Sequence, residues 1–364
     1  MAEQNMNATQ RAALFANATR QNMQMLPKQT ATSGATTMTF TLPKARLLSK
    51  ILLDVTATVK VTHPTKTELP SFDVFTPYRL LRRISLDLNN GFSPYVIGGA
   101  EACMLNMIHR GNAQYMASPF VNSSEDETAG TNHFGYWLNK GASADGKVNK
   151  VRFTLELPVT LNDRDPVSLI LLQNDTTNVS LVLDFANGSD MFDGIDGYTI
   201  DITGVEATPM LETFSVPAST TAFPDLSVLK LTTSRNDSYV GAGQHIIKMS
   251  TGTIYRRIIF RILDENGNPV DDEEITSNIS LVFNQADTNY DISARHLRML
   301  NTTQYGFTLP KGMFVFDFAY QGVAGLSGSR DYVDTERLTE MWLRYSTGGS
   351  GRIQIVSECL AMLQ

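Results

Sequence analysis

The stretch VRFTLELPVTL, residues 151 to 161, alternates without a break. Val151, Phe153, Leu155, Leu157, Val159 and Leu161 are apolar, and every residue between them is polar, charged or proline. Extended backbone sends successive side chains to opposite faces, so a strict period of two makes a strand with one face for a core and one for water. KILLDVTATVKV, residues 50 to 61, repeats the pattern, with Ile51, Leu53, Val55, Ala57, Val59 and Val61 on one side. Pro158 has no N–H to donate, which places it on an edge or at a bulge. Further runs at 80–88, 168–173, 178–185, 198–207, 227–233, 254–263, 278–284, 312–320, 340–346 and 352–360 read as strands. Helical spacing is confined to 9–26, with Pro27 as its stop, and to 98–110 and 288–300.

The chain also echoes itself. YRLLRRISLDLNNG (78–91) resembles YRRIIFRILDENG (255–267), FTLELP (153–158) resembles FTLPKG (307–312), and YTIDITGVEATPM closes one half as GRIQIVSECLAML closes the other. Matches in one order argue for a duplicated fold. At 364 residues there is room for two domains. Pro209, Pro217 and Pro224 mark the division, so the expected units are a basic helical arm and linker at 1–35, a first domain at 36–215 and a second at 216–364. Many short strands with one helix per half fit a jelly roll better than an immunoglobulin-like sandwich. The fold class is therefore all-β, two tandem eight-stranded jelly rolls with an N-terminal helical arm and few short helices. Residues 111–150, rich in Gly, Ser, Asn and acids, read as a surface excursion of the first half, and 264–274 as a solvated acidic loop.

Charge is uneven. The whole chain carries −7, yet the first 50 residues hold six Lys or Arg against one Glu, or +5, which leaves −12 for the rest. A basic arm carrying Arg11, Arg20 and Lys28, with Phe15 on its apolar side, is suited to an anionic surface, nucleic acid or lipid headgroups. Neither a signal peptide nor a spanning helix is expected, since nothing reaches about 18 consecutive apolar residues. Cys103 and Cys359 lie far apart and read as two free buried thiols.

Chemistry is hard to find. GLSGS (325–329) lacks the last Gly of a nucleophile elbow, and GAGQHI (241–246) lacks the third Gly of a dinucleotide fingerprint. The five histidines show no HxH or HExxH spacing, and Asp190, Asp193 and Asp196 do not follow the EF-hand pattern. No catalytic residue, cofactor or metal is expected. In GMFVFDFAY (312–320), Phe314, Phe316, Phe318 and Tyr320 load one face with aromatics while Met313, Val315 and Ala319 keep the other apolar. A strand apolar on both faces is covered on both, either by a helix of the same chain or by another subunit, which makes those four aromatics subunit-interface candidates. A protein rich in strands and poor in sites reads as building material, against the alternative of a carbohydrate-binding or receptor-binding jelly roll; Trp137 and Trp342 are its only tryptophans.

Several stretches carry a further likeness: the QRAAL start of the terminal helix at Gln10 to Leu14, YRLLRRISLDLNNG, LPVTLNDRDPVSLILLQNDTTNVSLVLDFANG (157–188), IYRRIIFRILDENG, and LPKGMFVFDF. Through these the chain resembles the double jelly-roll major capsid proteins of tailless, membrane-containing bacteriophages, the tectivirus family. The resemblance implies a homotrimer whose six jelly rolls make a pseudo-hexagonal capsomer of an icosahedral shell over an internal lipid membrane. It implies a virion protein, made in the host cytoplasm, whose terminal helix lies at the base near membrane and neighbours. Its implied partners are further copies of itself, vertex (penton) and minor capsid proteins and the internal viral membrane, with no sequence-specific nucleic-acid binding.

Overall fold

The computed structural model describes residues 8–71, 73–89, 91–110, 120–122, 135–161, 167–224, 226–285, 287–319 and 333–362. A short helix α1 (Ala8–Ala18) leads into β1 (Gln21–Met25), β2 (Gln29–Ser33), β3 (Thr37–Thr41), β4 (Leu47–Thr62), β5 (Leu81–Leu88) and β6 (Phe92–Ile97). After α2 (Gly99–Arg110) come β7 (Phe120–Asn122), β8 (Gly135–Asn139), β9 (Lys147–Pro158), β10 (Ile170–Leu171), β11 (Val179–Phe185), α3 (Gly188–Met191) and β12 (Thr199–Phe214). The second half runs β13 (Val228–Tyr239), β14 (Gly243–Met249), β15 (Ile254–Asp264), β16 (Ile279–Phe283), β17 (Asp287–Ile292), α4 (Ala294–Tyr305), β18 (Met313–Asp317), β19 (Val333–Asp334), β20 (Met341–Thr347) and β21 (Gly351–Met362).

Each half is a two-sheet roll with one strand order. In the first, β1 and β2 together flank β12, followed by β4 and β9, opposite β3-β11-β5-β6. In the second, β13-β21-β15-β18 faces β14-β20-β16-β17. The helix falls at the same step of both, after the fifth strand position and before the sixth. This is the pair of eight-stranded jelly rolls that the alternating sequence implied. The alternation is also realised where it was strongest: Ile51, Leu53, Val55, Val59 and Val61 face the first core with Phe153, Leu155 and Leu157. Pro158 is the last residue of β9, past the point where β8 flanks it.

The N-terminal segment differs from expectation. Residues 9–26 do not form one helix; α1 stops at Ala18, and 21–25 pair antiparallel with β12, from Gln21 opposite Phe214 to Met25 opposite Met210. The expected linker contains β2, paired with the same strand. The arm's second half is therefore the first strand of the first roll. Edge pairing supplies main-chain hydrogen bonds that a weakly amphipathic helix would have kept to itself, without an apolar face to bury in return. Likewise 288–300 splits into β17 and α4 at Ser293, whose side chain caps the His296 N–H, and Gly306 closes α4 in the left-handed conformation (φ 74°). Within 111–150, the parts that are described enter the sheet as β7, β8 and the start of β9; residues 111–119 and 123–134 lie outside the described residues.

The sequence echo is out of register with the architecture. YRLLRRISLDLNNG covers β5, between β11 and β6, whereas YRRIIFRILDENG covers β15, between β21 and β18. FTLPKG precedes β18, the strand that corresponds to β9. A basic pair, an apolar run and an Asx-Gly turn are general strand vocabulary, so such matches recur at non-equivalent positions.

The rolls share a sheet. Tyr95 and Val96 of β6 pair in parallel with Thr232 and Thr233 of β13, joining two four-stranded sheets into one that crosses the domain boundary. One core fills the first roll and continues to Ile259, Met313, Val315 and Val356 on the back of the second roll's sheet; a separate core fills the second roll.

Candidate functional site

Where the rolls meet, charged side chains are buried together. The Glu358 side chain, on β21, has no solvent exposure and meets three elements. His109 at the end of α2 lies 2.6 Å from one carboxylate oxygen, and Arg257 and Arg256 of β15 lie 3.3 and 3.6 Å from the other. Arg257 also holds Asp317 at 2.8 Å, and the Tyr305 hydroxyl of α4 donates to the same Asp317 oxygen at 2.7 Å. Lys230 of β13 donates to the Thr160 carbonyl at 3.0 Å. Burial alone would raise the Glu358 carboxyl, but Lys230, His109 and Arg257 outweigh it and hold it well below the usual range. Burial presses His109 below its ordinary value against the pull of Glu358, and presses Lys230 down to about 8. With the carboxylate ionised, His109 donates its Nε2–H to it.

Further ties span the same boundary. Arg261 of β15, almost fully buried, donates to Asp73 at 2.6 Å and stacks its guanidinium on Phe75. Asp193 accepts from Arg79 of its own roll and from Arg352 of the other, each at 2.6 Å. Its carboxyl is held low because the two guanidiniums outweigh burial. Of the three aspartates weighed for a cation, Asp193 is therefore committed to arginines. Glu101 of α2 accepts from Gln354 of β21 at 3.1 Å, and the Gly98 N–H donates to Ser234 of β13 at 3.0 Å. Buried ion pairs contribute little net stability, yet removing one partner is costly, so such a seam fixes geometry more than it adds stability.

A second device appears once in each roll. Asn106, the eighth residue of α2, donates to the Glu156 carbonyl at 2.7 Å and accepts from the Glu156 N–H at 2.8 Å. Asn301, the eighth residue of α4, does the same to Val315, at 2.9 and 3.0 Å. Each amide stands in for the missing neighbouring strand beside β9 and β18, satisfying main-chain groups that burial would otherwise strand. Both asparagines end the triplet Met-Leu-Asn, at 104–106 and 299–301. That identity was a visible signal of the duplication and is in register with the fold. The seam itself had only a faint one, Lys230 between Leu229 and Leu231 and Glu358 beside Cys359 and Leu360.

The residues singled out from sequence are placed as follows. Phe15 is buried in the chain's own surface, edge-to-face with Phe214 at 5.3 Å and beside Leu47 and Leu169. Arg20 is exposed; Lys28 is exposed and paired with Glu206 at 3.1 Å; the Arg11 side chain lies outside the described residues. Phe314, Phe316 and Phe318 are core residues rather than interface, packed with Phe260 and Tyr290 inside the second roll. Arg298 of α4 covers Phe314 at 5.5 Å, so the strand's cover comes from its own chain. Tyr320 lies outside the described residues. Cys103 and Cys359 are free and buried, and burial raises both thiols. Among the described residues no helix is long and apolar enough to cross a membrane, and no cluster of three metal-binding side chains occurs.

Against known proteins, no protein-family model and no curated sequence matches the chain. Solved structures do. A chain from the atomic structure of Sulfolobus Turreted Icosahedral Virus superposes with a TM-score of 0.67 at 12% identity, covering 94% of this chain and 91% of that one. The chain has the double jelly-roll fold of viral major capsid proteins. A chain of the PBCV-1 virus capsid aligns at a TM-score of 0.61 and 11% identity over 94% of both chains. The major capsid protein of bacteriophage PM2 gives 0.51 at 10% identity, covering 95% and 98%. The likeness thus runs over more than nine-tenths of each chain, both rolls included.

Proposed function

We propose that this protein is a major capsid protein, with a structural rather than a catalytic role. The observation that carries the reading is the nearly whole-length correspondence of two fused rolls to chains from virus-particle structures, at TM-scores up to 0.67. In this reading three copies form a pseudo-hexagonal capsomer of six rolls, and capsomers tile an icosahedral shell over an internal membrane, with vertex and minor capsid proteins completing it in the virion. Exposed Arg20, together with Arg11 on α1, supports an arm that faces lipid headgroups, while the Lys28 charge is shared with Glu206; each free charge contributes about 1 kcal/mol near an anionic surface, so many parallel copies are needed. Phe15 then anchors α1 to its own roll instead of entering lipid. Negative-stain microscopy of the purified protein and its source particle tests the reading. Hexagonal capsomers at high copy number support it; a few copies per particle, confined to projections, indicate a receptor-binding protein and overturn it.

A further inference from the structure

The strands gripped by the two asparagines align the rolls residue by residue. Val315 lies in one row with Ile259, Val356 and Ser234, and Glu156 in the matching row with Leu52, Met210 and Met25. Two rows on, Glu358 beside Arg257 matches Glu212 beside Lys50, the latter pair 3.4 Å apart, and the register then shifts at the same step in both rolls. Between these rows lies one whose central side chains turn into the roll. It runs Phe316, Ile258, Ser357 and Thr233 in the second roll, and Leu157, Ile51, Leu211 and Gln24 in the first. The second roll therefore has Ser357 where the first has Leu211, and by the same alignment Arg235 where the first has Leu26.

Both leucines pack in the first core. Their replacements frame a cleft of about 190 Å³ between β13 of one sheet and β14 of the other. Its floor is Met249, the Tyr255 ring, Ile355 and the Cys359 thiol, all buried; Thr233 and Arg235 stand at its mouth. The floor presents little polarity, since the Tyr255 hydroxyl is engaged by the Ser250 carbonyl at 2.8 Å and burial pushes the Cys359 thiol up to about 12. At the mouth Arg235 reaches across to the Lys248 carbonyl at 2.6 Å. Asp237, 2.9 Å from Arg235, balances its charge, yet the Arg235 Nε makes no hydrogen bond among the described residues.

We propose that this cleft binds a small neutral molecule of the phenol class, a compact apolar ring with one hydroxyl. An apolar cavity of about 150 Å³ is enough to hold benzene, so the space here takes such a ring with one or two further heavy atoms. The ring lies on Tyr255 and Ile355, and the hydroxyl oxygen accepts from the guanidinium at the mouth. The head is neutral because the Arg235–Asp237 pair leaves no net charge to offset the desolvation of a carboxylate. Bound there, the ligand bridges β13, β21 and β14, hence both sheets of the second roll, and stabilises the folded chain by mass action. Because the cleft lies inside one roll, occupancy is independent of assembly.

Ligand-observed NMR and thermal melts of the full chain with phenol and with benzoate test the site. Phenol is expected to bind saturably at millimolar concentration and to raise the melting temperature, and benzoate at the same concentration to do neither. Ser357→Leu, which restores the first roll's side chain, is expected to lose phenol binding while melting no lower than the wild type. In wild-type crystals soaked with 4-bromophenol, the anomalous bromine peak is expected between β13 and β14, a result that does not depend on the variant's folding. Absence of saturable phenol binding, undiminished binding by Ser357→Leu, or bromine located elsewhere overturns the site; benzoate binding as tightly as phenol overturns the neutral class.

Discussion

α2 and α4 are the same helix written twice, twelve residues each, with Met-Leu-Asn at the same place and the same grip on a neighbouring strand. One is sealed inside the molecule and the other lies on its surface. The difference is not one of local structure, since the asparagines make matching bonds to Glu156 and Val315. It is one of what packs on the outer face, which the second roll supplies to α2 and nothing among the described residues supplies to α4. A duplicated fold therefore uses one copy of a helix to join its halves and leaves the other copy at its surface.

The largest test of that comparison is at the paired glutamates. Glu358→Ala strips the partner from His109 and Arg257 in a buried seam, and a loss of about 3 to 5 kcal/mol in denaturant unfolding is expected. Glu212→Ala leaves Lys50 still paired with Glu156 at 3.4 Å, so a smaller loss, about 1 to 2 kcal/mol, is expected although Glu212 is buried. Equal losses would break the claim that Glu358, with no second carboxylate to take over its partners' charge, is the more tightly held of the two. Next is the leucine pair. Leu105→Ala should cost about 2 to 4 kcal/mol, as a buried leucine does, and Leu300→Ala less than about 0.5 in a dissociated chain. Asn106→Ala and Asn301→Ala should each cost about 2 kcal/mol, because each strands one N–H and one C=O. There the two helices are expected to agree.

A smaller effect is acid sensitivity. His109 and Glu358 both have depressed pKa values in the folded chain, so the unfolded chain binds more protons at low pH. The stability they confer is present above their ordinary values and is lost first as pH falls below about 6.5, then below about 4.5. Lys230, depressed to about 8, acts on the alkaline side: stability rises between about 8 and 10.5 as the unfolded chain alone keeps that proton. Melting temperature against pH for wild type and Glu358→Gln checks both slopes, and the variant should lose most of the steeper acid limb.

Period two made the long strands legible, because β4 and β9 bury one face completely. β1 and β2 were illegible for the converse reason: QNMQM and QTATS bury almost nothing and are held by main-chain bonds to β12. The seam was also out of reach, since Glu358, His109 and Lys230 are distant in sequence and meet only after both rolls form. The stripe of β18 was correctly read as covered on both sides, and both covers come from the chain: the aromatic face packs inside the second roll beneath α4, while Met313 and Val315 join the core that continues from the first roll. Met-Leu-Asn was the clue at hand; three residues are faint until the fold shows them 195 positions apart doing one task.

The parallel junction of β6 with β13 has a mechanical consequence. Two rolls tied only by a tether would swivel, and a wall made from them would yield at every tether. Here the backbone ladder runs through the joint, so a push on one roll is shared with the other as shear across main-chain hydrogen bonds, with the core around Val356 resisting any opening. The molecule bears load as a single stiff plank.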